Sequence, residues 1–465
     1  MPRSSAFTYL CTSCDAASLQ WVGRCPSCGQ WNTLTATAHA IATTHPLAIP
    51  LHTVDSAAAR PLPTGITELD RVMGGGFVAG SVTLVFGPPG VGKSTLLFQV
   101  LASVAATGAE VVLASAEESL AQVSGRATRI GPVPDRLLAL EGHDVEAVEA
   151  AIQHHRPALV VVDSIQSISD PELSQAAGSL AQVRSCVERL TRLAKMTAVP
   201  VVLVGHLTKD GDLAGPRAIE HLVDTVLSFD GDRHHALRIL TAVKHRFGPA
   251  GEVGIFEMRD DGLRAVPDPG PLMLGDRMSG VPGSVVVPVL QGRRPLLVEV
   301  QALLGPAATT GSRTRTLGID AARVNLLLAV LGCRTDVDIG GAEVFVAAVG
   351  GITITEPAAD LATALAIASA ARGRTIPADT VVFGELGLAG EVRTVPGAER
   401  RLYEAGRAGF IRALVPASTP VEALPPGLEV RRVRTLAGAL EALDAAGRHD
   451  ATGTMRPWLT VAASR

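Results

Sequence analysis

The chain is short of lysine. Among 41 Lys and Arg residues only Lys93, Lys195, Lys209 and Lys244 are lysines. It also lacks a positive balance, with a formal net charge of −4 over 465 residues. That excludes a global basic field, so any nucleic-acid contact must come from a local basic surface. No apolar run approaches a bilayer span; the longest, such as 158–162 and 199–204, are strand-sized. The opening residues, MPRSSAFTYLCTSC, carry no signal-peptide apolar core. A cytoplasmic enzyme is therefore expected, and in that compartment cysteines read as thiols or metal ligands rather than disulfides.

What is present reads as globular. Hydrophobic residues make up 47% and charged residues 18%, and the 47 Gly and 30 Pro are scattered through apolar-rich sequence. The length predicts two or three domains. Residues 1–34 hold four of the six cysteines, and 35–60 lack clear periodicity and read as a linker. From 61 to 266, short β-branched runs (82–86, 110–114, 159–162, 201–204, 223–229) alternate with longer Ala/Leu-rich segments. That alternation predicts a doubly wound α/β sheet. A Pro/Gly-rich connector at 267–283 leads to a second α/β unit over 284–450. Its strands are expected near 285–289, 344–348 and 381–383, and its clearest helix over 358–371. The tail, 451–465, is uninformative.

Cys11-x-x-Cys14 and Cys25-x-x-Cys28 form two knuckles ten residues apart. Each C-x-x-C brings two thiolates about one turn apart, so two knuckles close a tetrahedron around Zn²⁺. The alternative, a pair of redox motifs, lacks a βαβ context. So small a segment needs a staple, and zinc binding supplies on the order of 10 kcal/mol. Cys186 and Cys333 are isolated and read as ordinary buried thiols.

The strongest signal is LVFGPPGVGKST. Gly87, Pro88, Pro89, Gly90, Val91, Gly92, Lys93 and Ser94 satisfy G-x-x-x-x-G-K-[ST] between an apolar strand and an Ala/Leu-rich helix, and Thr95 completes the candidate nucleotide-binding stretch. Backbone amides and the helix N-terminus cradle phosphates, Lys93 reaches the β- and γ-phosphates of ATP, and Ser94 contacts Mg²⁺. ALVVVDS supplies a Walker B strand with Asp163 placed for Mg²⁺. Ser164, not Glu, follows it. The water-activating base must come from elsewhere, and VVLASAEES offers Glu117, with Glu118 as its competitor, beyond the end of a strand. Either could instead begin the next helix, where an acid suits the dipole. His206, in GHLTKDG, reads either as a γ-phosphate sensor or as a structural residue.

A last stretch, TAVKHRFGPAGE, sets Lys244 and Arg246 at what reads as a strand end. Taken alone, K-x-R is most simply a solvated turn. The order of motifs changes that reading. The four-Cys knuckle, TGITELDRVMGGG, the P-loop, GHLTKDG and KHRFG together resemble the bacterial RadA (Sms) family over nearly the whole chain. The expected fold class is α/β: a RecA-like P-loop ATPase core with a small N-terminal zinc knuckle and a second α/β domain resembling the Lon protease domain. The family signature reads K-N-R-F-G, so His245 is a departure from Asn. The resemblance implies a DNA-dependent ATPase of recombination and repair. It further implies a ring-shaped hexamer that moves on single-stranded and branched DNA beside the RecA recombinase. Lys244 and Arg246 are then candidates for trans-acting fingers on a neighbour's γ-phosphate, with a grip on DNA phosphates as the rival role.

In the Lon-like half, the setting of the family's nucleophile reads Glu356-Pro357-Ala358-Ala359-Asp360, so the Ser position is Ala358. In the same register the Lys position is Arg401, and an arginine is no general base. A folded scaffold without peptidase chemistry is expected. Arg313, Arg315 and Arg323, together with Arg293 and Arg294, are candidates to neutralise DNA phosphates. Two other functions share some of these motifs. One is an ATP-switched DNA- or RecA-binding adaptor without unwinding; the other is an ATP-dependent protease, which Ala358 and Arg401 argue against.

Overall fold

The computed structural model describes residues 8–14, 16–18, 21–37, 50–53, 60–206, 218–231, 237–307, 314–420 and 424–446. Lys209 and Arg313 lie outside them. Residues 1–58 and 59–465 form two compact units.

The first unit is a small antiparallel sheet of β1 (Thr8–Cys11), β2 (Ala17–Ser18) and β3 (Leu34–Thr37) in the order β2-β1-β3. Among the described residues its core is Cys11, Cys25 and Leu34, with Tyr9 and Ala16 against them. Strand β3 pairs with β1 along its whole length, so the ribbon runs past the boundary expected at residue 34.

The second unit opens with a short pair, β4 (Pro61–Leu62) and β5 (Phe77–Val78), flanking α1 (Thr67–Val72). The expected doubly wound sheet follows: β6 (Val82–Gly87), α2 (Lys93–Ala106), β7 (Val111–Ser115), α3 (Leu120–Ile130), β8 (Leu137–Glu141), α4 (Val145–His155), β9 (Leu159–Asp163), α5 (Leu180–Thr197), β10 (Val201–His206) and β11 (Thr225–Asp230). Three antiparallel strands extend it: β12 (Leu237–His245), β13 (Val253–Arg259) and β14 (Gly262–Ala265). The strand order is β14-β13-β12-β11-β6-β10-β9-β7-β8. The central strands are Val/Leu runs because both faces are covered. Leu96, Leu97 and Leu101 of α2 pack on one face; Val148, Val187 and Leu190 of α4 and α5 pack on the other.

The expected connector contains α6 (Gly270–Leu274). The second α/β part comprises β15 (Ser284–Gln291), β16 (Arg294–Ala307), β17 (Thr314–Leu317), α7 (Ala321–Arg334), β18 (Ala342–Ala348), α8 (Asp360–Arg372), β19 (Thr380–Val382), β20 (Glu385–Leu386), β21 (Val392–Arg393), α9 (Ala398–Arg407), β22 (Arg412–Pro416), β23 (Glu429–Val433) and α10 (Leu436–Ala446). Its main sheet runs β17-β18-β16-β15-β19-β22-β23. Residues 358–359, expected to open the α8 helix, lie instead in a 3-10 turn, Pro357–Ala359, just before it. The two α/β parts are joined tightly. Val253, Ile255 and Val266, from the ATPase side, are buried in the same apolar core as Val285, Leu297 and Leu365.

Candidate functional site

The P-loop leaves the C-terminal end of β6 and enters α2 at Gly92, whose φ of 111° belongs to the left-handed region that glycine tolerates and side chains resist. Pro89 and Gly90 form the exposed tip, whereas Lys93 is buried at the base. Its ammonium donates to the carbonyl oxygens of Gly87 at 2.9 Å and Pro88 at 3.2 Å. Burial lowers the Lys93 pKa, against the pull of Asp163 and Glu117. Lys93 Nζ also lies 3.3 Å from Nδ1 of His206. An ammonium only donates, so Nδ1 accepts and the ring proton belongs on Nε2. That Nε2 stands 3.2 Å from Oε1 of Glu117.

The register brings these groups together. Gly87 is level with His206, and Ser115 with Asp163, so the P-loop, Glu117, Asp163 and His206 share the carboxyl ends of parallel strands. Glu117, Asp163 and His206 have ligand atoms within 4.8 Å of one another. Asp163 is pushed up by burial, while a hydrogen bond with Ser94 pulls it down. A carboxylate facing a hydroxyl is a hard oxygen pair of the type Mg²⁺ takes beside phosphate oxygens.

Glu117 and Glu118 part company. His206, and then the Ser164 hydroxyl, hold the Glu117 carboxyl down at about 2 against desolvation. Ser164 and Ser167 both donate to it, the latter at 3.2 Å. Glu118 instead pairs with Arg126 of α3 at 2.8 Å. Sequence reasoning gave no role to Ser164, which it named only as following Asp163, and missed Ser167, although the stretch VDSIQS contains both. It also missed Arg238, a buried guanidinium on β12 whose Nε donates to the P-loop carbonyl of Val91 at 3.2 Å.

Lys244 and Arg246 are not beside this cluster. His245 is level with Thr225, and Thr225 with Thr83, at the start of β6. Four residues separate that level from Gly87, roughly 13 Å at a strand's rise. Lys244 Nζ donates to the carbonyls of Glu220 at 2.6 Å and Val223 at 2.9 Å. Arg246 pairs with the buried Asp224 at 2.9 Å and is itself half exposed. His245 points inward, with Nδ1 2.9 Å from the Thr225 hydroxyl, and burial lowers its pKa.

Most candidate DNA contacts are already engaged. Arg323 makes a bidentate pair with buried Asp360, Arg293 pairs with Glu252 at 3.2 Å, and Arg294 with buried Glu68 at 2.5 Å. Each of these guanidiniums already has a carboxylate partner with which a DNA phosphate would compete, while Arg293 and Arg323 stay partly exposed. Arg315 is exposed on edge strand β17. In the Lon-like half, Ala358 is buried and presents a methyl group. Arg401 is fully buried and doubly bonded to Glu356 at 2.7 and 2.6 Å. Ser369 sits farther along α8 and donates to the Arg374 carbonyl.

In the N-terminal unit, the four thiols meet. Sγ of Cys11 is 3.6 Å from that of Cys28, and Sγ of Cys14 is 3.8 Å from that of Cys25. A tetrahedron of Zn–S bonds near 2.3 Å has edges of about 3.8 Å. The set fits zinc. The Thr33 hydroxyl is the main influence lowering Cys11, to about 6. At Cys28 the Gln30 amide pulls downward, but Cys14, desolvation and the other thiols together raise it to about 12. Packed thiols that cannot all ionise alone are the kind a divalent cation neutralises.

Known proteins agree with this layout. The AAA domain family matches residues 47–212, the rubredoxin metal binding domain 9–36, and the family of subunit ChlI of Mg-chelatase 350–419. The DNA repair protein RadA of Mycobacterium tuberculosis is 44% identical over 97% of this chain and 95% of its own. That of Bacillus subtilis is 42% identical over 93% and 97%. A solved RadB recombinase aligns at 26% identity with 44% of this chain and 99% of its own, at a TM-score of 0.36. With such identity sustained from the cysteine ribbon through the P-loop to the Lon-like half, the chain belongs to the RadA family of DNA repair proteins.

Proposed function

We propose that this ATP hydrolase is a helicase-like motor of recombination and DNA repair. In this reading it assembles as a ring, a hexamer, and acts on single-stranded and branched DNA beside the RecA recombinase. The observation that carries the ATPase part is the chain Lys93–His206–Glu117 beside Asp163. Lys93 and the P-loop amides hold the β- and γ-phosphates. Glu117, with a carboxyl near 2, keeps no proton at neutral pH; it accepts a hydrogen bond from the attacking water and aims it. His206 touches both Lys93 and Glu117, so it senses whether a γ-phosphate is present. Mg²⁺, held by Ser94 and Asp163, would neutralise charge developing on the phosphates.

Lys244 and Arg246 act in trans on a neighbour's nucleotide. Two facts support this: they sit at the strand level opposite their own P-loop, and Arg246 is half exposed. ATP hydrolysis by the purified protein, with and without single-stranded DNA, tests the core of the reading. Stimulation by DNA and its loss in Lys93→Ala are expected; hydrolysis indifferent to both contradicts it. Strand displacement on a forked duplex separates a motor from an adaptor, which would bind in a nucleotide-dependent way without unwinding.

A further inference from the structure

Residues Gly292 and Arg293, between β15 and β16 of the Lon-like half, and Arg294, the first residue of β16, all contact the ATPase core. The Arg293 amide donates to the carbonyl of Gly251 at 2.7 Å. Its guanidinium pairs with Glu252 at 3.2 Å. Gly292 has a φ of 57°, and a Cβ there would fall 2.2 Å from the Gly251 oxygen, a backbone atom with no room to yield. Arg294 reaches Glu68 of α1, which also binds Arg71 at 2.9 Å and the amide of Ile255 at 2.8 Å.

Gly251 and Glu252 are the base of the loop that carries Lys244 and Arg246. The loop closes through Gly251 N to the Ala242 oxygen at 2.7 Å and Ala242 N to the Glu252 oxygen at 2.9 Å. Beyond that base, Lys244 and His245 pair with β11, the Arg246 amide donates to the Asp224 oxygen at 3.2 Å, and the Lys244 and Arg246 side chains bond to Glu220, Val223 and Asp224. The base is bonded to Ala242, two residues before Lys244 on the same strand, so displacing it strains the seating of that strand end against β11.

We infer that the β15–β16 turn is a positioning element for ATP hydrolysis: by holding the Gly251–Glu252 base, the Lon-like half sets where Lys244 and Arg246 are presented. This rests on the reading of those cations as trans-acting fingers. It also gives the peptidase-like half a role in ATP turnover through positioning residues that touch neither nucleotide nor DNA. An ångström of misplacement at a charge-stabilising group costs on the order of 100-fold in rate, whereas ATP binding by the P-loop on the opposite end of the sheet is untouched.

The experiment compares Gly292→Ala with Gly373→Ala in the full chain. Gly373 has a similar φ of 61°, but a Cβ there meets nothing within 4 Å, so it controls for backbone strain. Gly292→Ala is expected to lower kcat for ATP at least tenfold with Kd for a fluorescent ATP analogue within twofold, while Gly373→Ala keeps kcat. A folded Gly292→Ala protein with wild-type kcat overturns the inference, as does an equal loss in Gly373→Ala. Should Gly292→Ala not fold, the charge swap decides. Glu252→Arg and Arg293→Glu each lower kcat and the double variant restores it; single variants with wild-type kcat overturn the inference. Arg246→Ala measured alongside separates the two levels. Wild-type kcat there overturns the finger reading itself; reduced kcat there with normal Gly292→Ala overturns only the positioning role.

Discussion

Arg401 donates to both carboxylate oxygens of Glu356 and, in addition, to the carbonyl oxygens of Pro288 and Pro396. A guanidinium so enclosed is a structural clasp, seated over the Phe383 ring at 5.8 Å. Breaking one side of a buried pair leaves an uncompensated charge. Glu356→Gln should therefore destabilise the protein by on the order of 3 kcal/mol, while replacing both partners with apolar residues should cost much less. Urea unfolding of the single and double variants checks this. A costless Glu356→Gln contradicts the clasp.

Glu117 supplies a pH prediction. Its folded carboxyl, held at about 2 by His206 and Ser164, lies below the roughly 4.3 of an unfolded Glu. The folded state therefore binds fewer protons than the unfolded chain. The resulting stabilisation is complete above pH 5 and drains as pH falls toward 2. Glu117→Gln should lose stability less steeply over that window than the wild type. The Glu117 side chain is partly exposed, so the difference is modest and needs paired denaturant titrations at several pH values. Parallel curves contradict the assignment. The same variant should also lose most ATP turnover while still binding ATP.

His245 stands where the family signature has Asn. Its imidazole is buried and occupies the Thr225 hydroxyl at 2.9 Å. His245→Leu strips that partner and should cost about 1–3 kcal/mol, with His245→Asn costing less because an amide still hydrogen-bonds. Thermal melts of both variants test the order; an equal cost contradicts it.

The thiol cluster predicts one zinc ion per chain in metal analysis of the full protein, released by a strong chelator and lost in Cys11→Ser. A metal-free protein with cross-linked cysteines contradicts the assignment.

Much of this was legible in the sequence because each signal was local. The Val/Leu runs that became β6, β9 and β10 sit between turn residues, and the P-loop pattern needs only eight consecutive positions. Glu117 was legible as a residue following a strand, but what sets it apart from Glu118 was not. That depends on Ser164 and Arg126, which only the fold brings near. The arginines' ion pairs were hidden for the same reason. Arg293, Arg294 and Arg323 look like free cations in sequence, and their carboxylate partners are 41, 226 and 37 residues away. The β12–β14 extension of the sheet and the shared core of its two α/β parts likewise depend on long-range pairing.

The central claim, that one subunit's Lys244–Arg246 loop serves the nucleotide on the next, is tested most directly by mixing two inactive variants. Lys93→Ala disables a subunit's own phosphate site and leaves its loop intact; Arg246→Ala does the reverse. Each alone should hydrolyse little ATP. Co-assembled, an intact loop meets an intact P-loop at some boundaries, so hydrolysis should rise well above either parent. A mixture as inactive as its components, or an Arg246→Ala protein with wild-type turnover, contradicts the account.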